Sequence, residues 1–517
     1  MSFSVVSLLH CSGAESTARA EDLAASLARL PSHEHAERSR LQTLRACALY
    51  SVDLVSARMA AKTAYSEAQA AGDDPSIAWA LLADCVAPAL DSSIDRRLKN
   101  CREALRIAQN SGERELISGA YFLLLAELAE SGTVTELDRV LNPSGALLTA
   151  IPWLEDEEVT GWFRCLRAII DGQLNRSEAI VDAGLSSTDG IGGSRTRNLL
   201  LGQLAIVRWM QGRSRELEAL VLSSRQNAPN GAIWILLLAW VWVQQGRRIA
   251  AGALLETIPP HDELVQDRNR LATLSLLALV TAELGDRDMA AALRIILLPF
   301  RDQLITMGFG AICLGTVHRP IARLSLLLGD KEEAIGHYRA AITFTAQLGA
   351  HPWLAEAQID LVELLLQGDD SVRADEAETL VVEALATARA LSLHRLEELA
   401  ASLLATARRK GKDAMLRTSF PEPHVRPTIR VLGTFDVTSI RGEPVRWQSR
   451  KARELLKILV SRRGTTVTRE RLIDLLWPDE QIDRLYNRLA VATSTIRRAF
   501  DPAAEPLRTP LWKVAET

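Results

Sequence analysis

Near the C-terminal end, Asn487, Arg488, Val491, Ser494, Thr495 and Arg498 fall on one face of a helix predicted over about 483–500. The opposite face carries Leu485, Leu489, Ala492, Ile496 and Phe500, the spacing of a buried stripe. A helix with one face apolar and the other Asn, Arg, Ser and Thr suits a major groove. The apolar face docks on its own domain, and the polar face meets phosphates and base edges. Arg450 and Lys451 at the start of an earlier helix, and Arg484 just ahead of this one, join the group as candidate DNA-binding residues.

Two shorter helices must position that face. Ala452, Leu455, Leu456, Leu459 and Val460 repeat at helical spacing after Ser449, and Arg462-Arg463-Gly464 stops the run with basic residues and a glycine. Thr468 is the expected N-cap of a second helix, 469–476, which Trp477-Pro478-Asp479 breaks. Upstream, 429–437 and 444–447 read as short strands.

These segments in this order resemble the winged-helix domain of bacterial SARP-type antibiotic-regulatory activators. The motifs are Ser449-Arg450-Lys451-Ala452-Arg453-Glu454-Leu455-Leu456, Val467 through Asp479, Asn487-Arg488-Leu489 and Ser494-Thr495-Ile496-Arg497-Arg498. The same fold serves as the output domain of response regulators in phosphorelay signal transduction. The resemblance implies a small N-terminal sheet, three helices and duplex DNA binding. It also implies a β-hairpin wing after the third helix. Here only 501–517 follow, with Pro506 and Pro510 poorly suited to a strand, so a shortened wing is expected.

Charge is split along the chain. Residues 428–517 hold 17 Lys/Arg and 11 Asp/Glu, a net +6, whereas the preceding residues hold 43 and 53, a net −10. A basic module on an acidic body is the asymmetry of a chain that binds nucleic acid with one end. At 517 residues the chain exceeds one ordinary domain, and 48% hydrophobic content with 5% aromatic residues points to a Leu/Ala-rich helical protein. The longest apolar run, 232–243, has 12 residues, short of the roughly 18 a membrane helix needs. The first residues lack a basic n-region, and six cysteines are scattered without a C-x-x-C pair. Reduced thiols, a cytoplasmic location and no membrane partner are therefore expected.

The first four hundred residues read as a repeat array. Gly212, Gly246, Gly285 and Gly329 each follow an apolar helix, at spacings of 34, 39 and 44 residues. Ala251, Ala290 and Ala334 follow three of them by five residues, and Tyr338 completes the fullest copy. Gly for the turn, Ala for close approach and an aromatic between neighbours resemble the tetratricopeptide repeat. Gly72, Gly112 and Gly349 mark the other class of turn. The stretch 308–367 resembles the C-terminal repeats of LuxR/MalT-type regulators, but no ATPase precedes the array, and Gly411-Lys412 lacks the rest of a P-loop.

Other constellations are weaker. His33-Glu34-His35 has no third ligand at helical spacing. Trp234, Trp240 and Trp242 read as core, with a ligand groove as the sharper alternative. The acidic run 155–158 begins a helix and suits its positive end. No nucleophile motif, phosphate loop or metal spacing is found, so no enzyme activity, cofactor or metal is expected.

The expected organisation is mainly α: an N-terminal segment (1–17), a tetratricopeptide-like α-superhelix (18–407), a basic, Pro-rich linker (408–427) and a small α+β winged helix (428–517). The expected function is transcriptional regulation through duplex DNA. The array would act as a sensor or protein-interaction module for a protein or small-molecule ligand. RNA polymerase and a second copy of the chain are candidate partners. The competing expectation is an interaction scaffold whose winged helix is vestigial or binds protein.

Overall fold

The computed structural model describes residues 4–500 except 10–12, 88–92, 155–157, 188–192, 228–231, 262–263, 265–267, 368–370, 420–427, 432, 440–442, 463–464, 466, 479 and 481–484. The chain forms two units, Met1–Lys412 and Asp413–Thr517.

The first unit is built from helical hairpins. Gly212, Gly246, Gly285 and Gly329 all take positive φ, between 75° and 97°, as the turn between paired helices requires. Ala251, Ala290 and Ala334 are fully buried and Tyr338 is 1% exposed, so the expected packing positions are core. Two further turns of this kind, Gly132 and Gly172, escaped the sequence reading. They precede Gly212 at regular intervals of 40 residues. Helices begin ahead of the expected start, with Val5–Leu9 and Gly13–Arg29, and the last, His394–Ser419, includes residues 408–419.

The two helices of a pair differ in character. Arg114–Glu130, Ala232–Gln244 and Arg270–Leu284 are apolar on nearly every side, and most of their residues are buried. Their followers Val134–Leu141 and Arg287–Leu297 are amphipathic, with one buried stripe. The first helices of successive pairs also touch one another, as Asp74–Val86 does Arg114–Glu130 and as Arg270–Leu284 does His318–Leu328. They form an inner layer, and the followers form an outer one.

A helix apolar all round needs a second partner, and an inserted β-hairpin supplies it. Leu304–Met307 pairs antiparallel with Ile312–Thr316, and the strands are buried on both faces. The hairpin touches six helices: Arg114–Glu130, Glu158–Ile170, Gly193–Met210, Arg270–Leu284, His318–Leu328 and Lys331–Gln347. Its tip turns through Gly308, Phe309 and Gly310, all at positive φ. The sequence reading took this stretch as part of a continuous helical array. The structure corrects that: two-sided burial erases the alternation that marks a half-exposed strand.

Polar groups pin the hairpin. The Gln203 amide donates to the carbonyls of Trp162 and Ala311, each at 2.8 Å. The Phe309 ring lies against Tyr50 and Phe122, with centroids 5.2 and 5.4 Å away, and under the Arg268 guanidinium at 5.2 Å. Arg268 is itself buried and donates to Glu127 and Glu130, both at 2.6 Å. Arg97 shares the same two carboxylates at 2.9 and 3.0 Å. A second buried ion cluster joins Arg319 and Arg323 to Asp360 at 2.6 and 2.8 Å. Burial alone would raise the Asp360 carboxyl, but the two arginines outweigh it and hold it at about 2.

In the second unit, Thr428–Arg430 pairs with Asp436–Thr438 and Thr438 bridges Pro444, so the strand expected over 429–437 folds back as a hairpin and the one expected over 444–447 is reduced to a single bridge. Helices Arg450–Ser461, Arg469–Leu476 and Leu485–Phe500 close a separate core around Leu455, Ile473, Leu489 and Ile496. The expected shortened wing, 501–517, lies outside the described residues.

Two outcomes test this packing. A Cβ at Gly310 meets the Ala126 carbonyl oxygen at 2.8 Å, whereas one at Gly72 meets nothing within 4 Å, and both residues have positive φ. Gly72→Ala is expected to cost about 1–2 kcal/mol from backbone strain alone. Gly310→Ala adds a clash with backbone and is expected to cost about 3 kcal/mol or more by urea denaturation. The depressed Asp360 carboxyl stabilises the fold fully above the unfolded pKa, and that contribution is lost as pH falls towards 2. Asp360→Asn is expected to destabilise by about 3–5 kcal/mol at neutral pH and to flatten the loss of stability below about pH 4.

Candidate nucleic-acid interface

The Leu485–Phe500 helix is anchored by its apolar residues. Leu485, Leu489, Ala492, Ile496 and Phe500 are buried, and each is no more than 7% exposed. This leaves Asn487, Arg488, Val491, Ser494 and Arg498 facing solvent, with Thr495 half-buried. Asn487, Val491, Ser494 and Arg498 recur every three to four residues and so form a stripe along one side. Val491 is 64% exposed and adds an apolar group to the stripe.

The two preceding helices are held by caps. Ser449 Oγ accepts from the Ala452 amide at 3.2 Å, and the expected cap Thr468 accepts from the Arg471 amide at 3.3 Å. Several cations of the unit act inward. The Lys451 ammonium donates to the Leu476 carbonyl at 2.6 Å, closing the last turn of Arg469–Leu476. Arg453 donates to the Phe435 carbonyl at 3.0 Å, tying the first helix to the sheet. Hydrogen bonding from Lys451, with help from Arg450, holds the Glu454 carboxyl below the usual carboxylate range.

The candidates therefore divide. Arg450 is 93% exposed and reaches Glu454 at 3.4 Å. Arg488 is paired with Glu480 at 2.6 Å, at the surface. The Thr495 hydroxyl donates to the Val491 carbonyl at 2.8 Å. No hydrogen bond within the described residues engages the side chains of Asn487, Ser494 or Arg498. Arg484 lies outside the described residues. One contact near the site was not foreseen: the Tyr486 hydroxyl donates to Glu470 at 3.2 Å and joins the second and third helices at the surface. Nothing in the sequence signals it beyond a tyrosine at the exposed start of a helix.

Elsewhere, His35 pairs with Glu67 at 2.8 Å and His33 faces Glu34 at 3.9 Å. Among the described residues no group of three or more His, Cys, Asp or Glu is placed to hold a metal. No described helix is long and apolar enough to cross a membrane. The five cysteines among the described residues are free and buried. Trp234 and Trp240 are core residues, 7% and 8% exposed. Trp242 is partly buried and donates to Glu218 at 2.7 Å. Of the acidic run, 155–157 lie outside the described residues, and Glu158 begins the helix Glu158–Ile170.

Lys451→Met tests the division of cations. With its bond to Leu476 removed, the unit is expected to lose about 1.5–3 kcal/mol of stability, while the salt dependence of duplex binding stays as in the unaltered chain. Denaturation and a salt titration measure the two separately.

Comparison with known proteins agrees with this geometry. Residues 442–509 match the family described as transcriptional regulatory protein, C terminal. No curated protein matches the chain. Among solved structures, the chain is similar to the crystal structure of the APC/C hetero-tetramer Cut9-Hcn1, at 14% identity and a TM-score of 0.29 over 75% of this chain and 87% of that one. A likeness of that size carries no weight, so the description of the repeats rests on their own turns and packing. The C-terminal unit is a winged-helix domain of the transcriptional-regulatory C-terminal family, carried after an array of tetratricopeptide-like helical repeats.

Proposed function

We propose that the chain is a transcriptional regulator that binds duplex DNA with the exposed stripe of Leu485–Phe500, and that the array is its sensor or protein-interaction module. The observation that carries this reading is the stripe itself. Asn487, Val491, Ser494 and Arg498 stay exposed on a helix whose other side is core. A helix of this kind fits the major groove, where an Asn side chain pairs with adenine, an apolar group meets a thymine methyl and Arg holds guanine or phosphate. The family match over 442–509 and the net +6 of residues 428–517 support the same partner. Nothing favours the scaffold reading.

The roles differ along the stripe. Asn487 is assigned to base readout, Val491 to apolar contact, Ser494 to either edge, and Arg498 in the last turn to phosphate. Arg488 is held by Glu480 in the free protein, and its pairing must break before it reaches DNA.

Binding of a selected duplex is expected to fall with salt by about 0.9 log units per phosphate neutralised. Asn487→Ala is expected to cost about 1–3 kcal/mol of discrimination at one base position. Arg498→Ala is expected to weaken all duplexes alike and to lower the salt slope by about 1. Titrations against the preferred and single-substituted duplexes at two salt concentrations separate these effects. Unchanged preference and slope in both variants would remove the stripe from the interface.

A further inference from the structure

The helix Leu54–Ala71 has its apolar residues the wrong way round for an ordinary surface helix. Its buried stripe is Ala57, Ala60, Ala64 and Ala68, while Val55, Met59 and Tyr65 are 71%, 64% and 52% exposed. A helix that covers a core usually turns its larger apolar side chains inward. Here the alanines let Leu54–Ala71 pack closely on His35–Leu49 and Asp74–Val86. The larger side chains stand on the other face and form one wall of a groove of about 710 Å³, open to solvent. Ala61 and Ala80 are buried at its floor beside Leu81, and Arg96 and Asn100 of Ile94–Ser111 form the far wall.

The groove is basic in a unit that is acidic. Residues ahead of 428 carry a net −10, yet Arg58 and Lys62 stand among Val55, Met59 and Tyr65 on one wall, and Arg96 lines the other. Val55, Arg58, Met59, Lys62 and Tyr65 follow helical spacing, so apolar and cationic groups share one face. Asp84 is the one carboxylate among the described residues that line the groove. It is already met by Arg96 at 3.3 Å and by the Asn100 amide at 2.8 Å. The Lys62 ammonium has no carboxylate partner among the described residues. Exposed Met, Tyr and Arg together on a concave surface are the composition of a protein contact.

We propose that this groove receives a short amphipathic helix of a partner protein, with its apolar stripe on Val55, Met59, Tyr65 and Leu81 and acidic residues on its flanks. Val55 to Tyr65 spans about 15 Å, the length of roughly ten helical residues. Apolar anchors one turn apart on such a helix fit a groove of this kind. Carboxylates beside them meet Arg58, Lys62 and Arg96, and the same cations repel basic competitors. This partner class rests on the reading of the array as a protein-interaction module.

The full chain is used to select from a displayed library of helices about four turns long, randomised on one face and its flanks. Sequences enriched on the unaltered chain are expected to carry an apolar stripe flanked by Asp and Glu. A fluorescent copy of the best of them is expected to bind saturably. Met59→Asp is expected to weaken that binding at least about tenfold, through loss of one apolar anchor. Lys62→Glu is expected to weaken it about three- to tenfold at low salt, with the difference shrinking as salt rises. Both side chains are exposed, and melting temperatures check that each variant is folded. Enriched sequences that are basic, or that lack an apolar stripe, overturn the proposal. Unchanged affinity in either folded variant also overturns it but leaves the interaction-module reading standing, because the helix then binds elsewhere on the chain. No enrichment at all overturns both. A dimer in sedimentation of the unaltered chain that Met59→Asp abolishes would give the groove to a second copy and overturn the partner assignment.

Discussion

The array depends on one packing constraint: its inner helices are too apolar to face water on any side. Arg114–Glu130 buries nearly every residue from Leu116 to Ala129, and Ala232–Gln244 is almost wholly hydrophobic. The amphipathic outer helices cover one side of that layer. The hairpin strands Leu304–Met307 and Ile312–Thr316 cover another, and they bring backbone polar groups into an apolar space. The ladder pairs the groups that point between the two strands, and Gln203 satisfies the Ala311 carbonyl. At the tip, Arg268 is buried only because Glu127 and Glu130 neutralise it. Close approach also sets the glycines: a side chain at Gly310 would meet the Ala126 carbonyl, and one at Gly315 the Trp353 ring.

The C-terminal unit solves a different problem with few residues. Its core is small, so polar and charged side chains take part in holding it. Lys451 and Arg453 are spent on backbone carbonyls within the domain, and Glu454 and Glu480 hold Arg450 and Arg488. The net positive charge is thus not uniformly available to a polyanion. Arg498 and the short polar side chains of the stripe remain, on a helix whose orientation is fixed by five buried residues. A rigid helix with a free polar face spends little entropy on ordering when it enters a groove.

Much of this was legible in the chain itself. Positive-φ glycines punctuate the array at Gly212, Gly246, Gly285 and Gly329, and the residues five positions after three of them are buried alanines, because a tight helical hairpin demands both. The three C-terminal helices follow from period, and the cap of the second from Thr468, whereas the Ser449 cap was not read. The hairpin was not legible. A strand buried on both faces shows no alternation, and the run Leu304-Ile305-Thr306-Met307 reads as readily as a helix turn. The inward roles of Lys451 and Arg453 were hidden as well. A cation early in a helix has no local signature that separates a solvent-facing charge from one that caps a neighbouring element, since its partner carbonyl lies 18 to 25 residues away in sequence. The same holds for the core beneath the hairpin. Trp240 read as core, which it is, but its neighbours Trp209, Met307 and Ile312 come together only through the tertiary fold.

The central claim is that the Leu485–Phe500 helix enters the major groove of duplex DNA. Chemical footprinting of the full chain on a duplex selected from a random pool tests it most directly, using methylation of guanine N7, which lies in the major groove. The account predicts protected guanines within a short site in the unaltered chain, and in Asn487→Ala a protection that no longer favours that site over a duplex substituted at the base pair Asn487 reads. Binding without major-groove protection, or protection indifferent to the residues of the stripe, would contradict it.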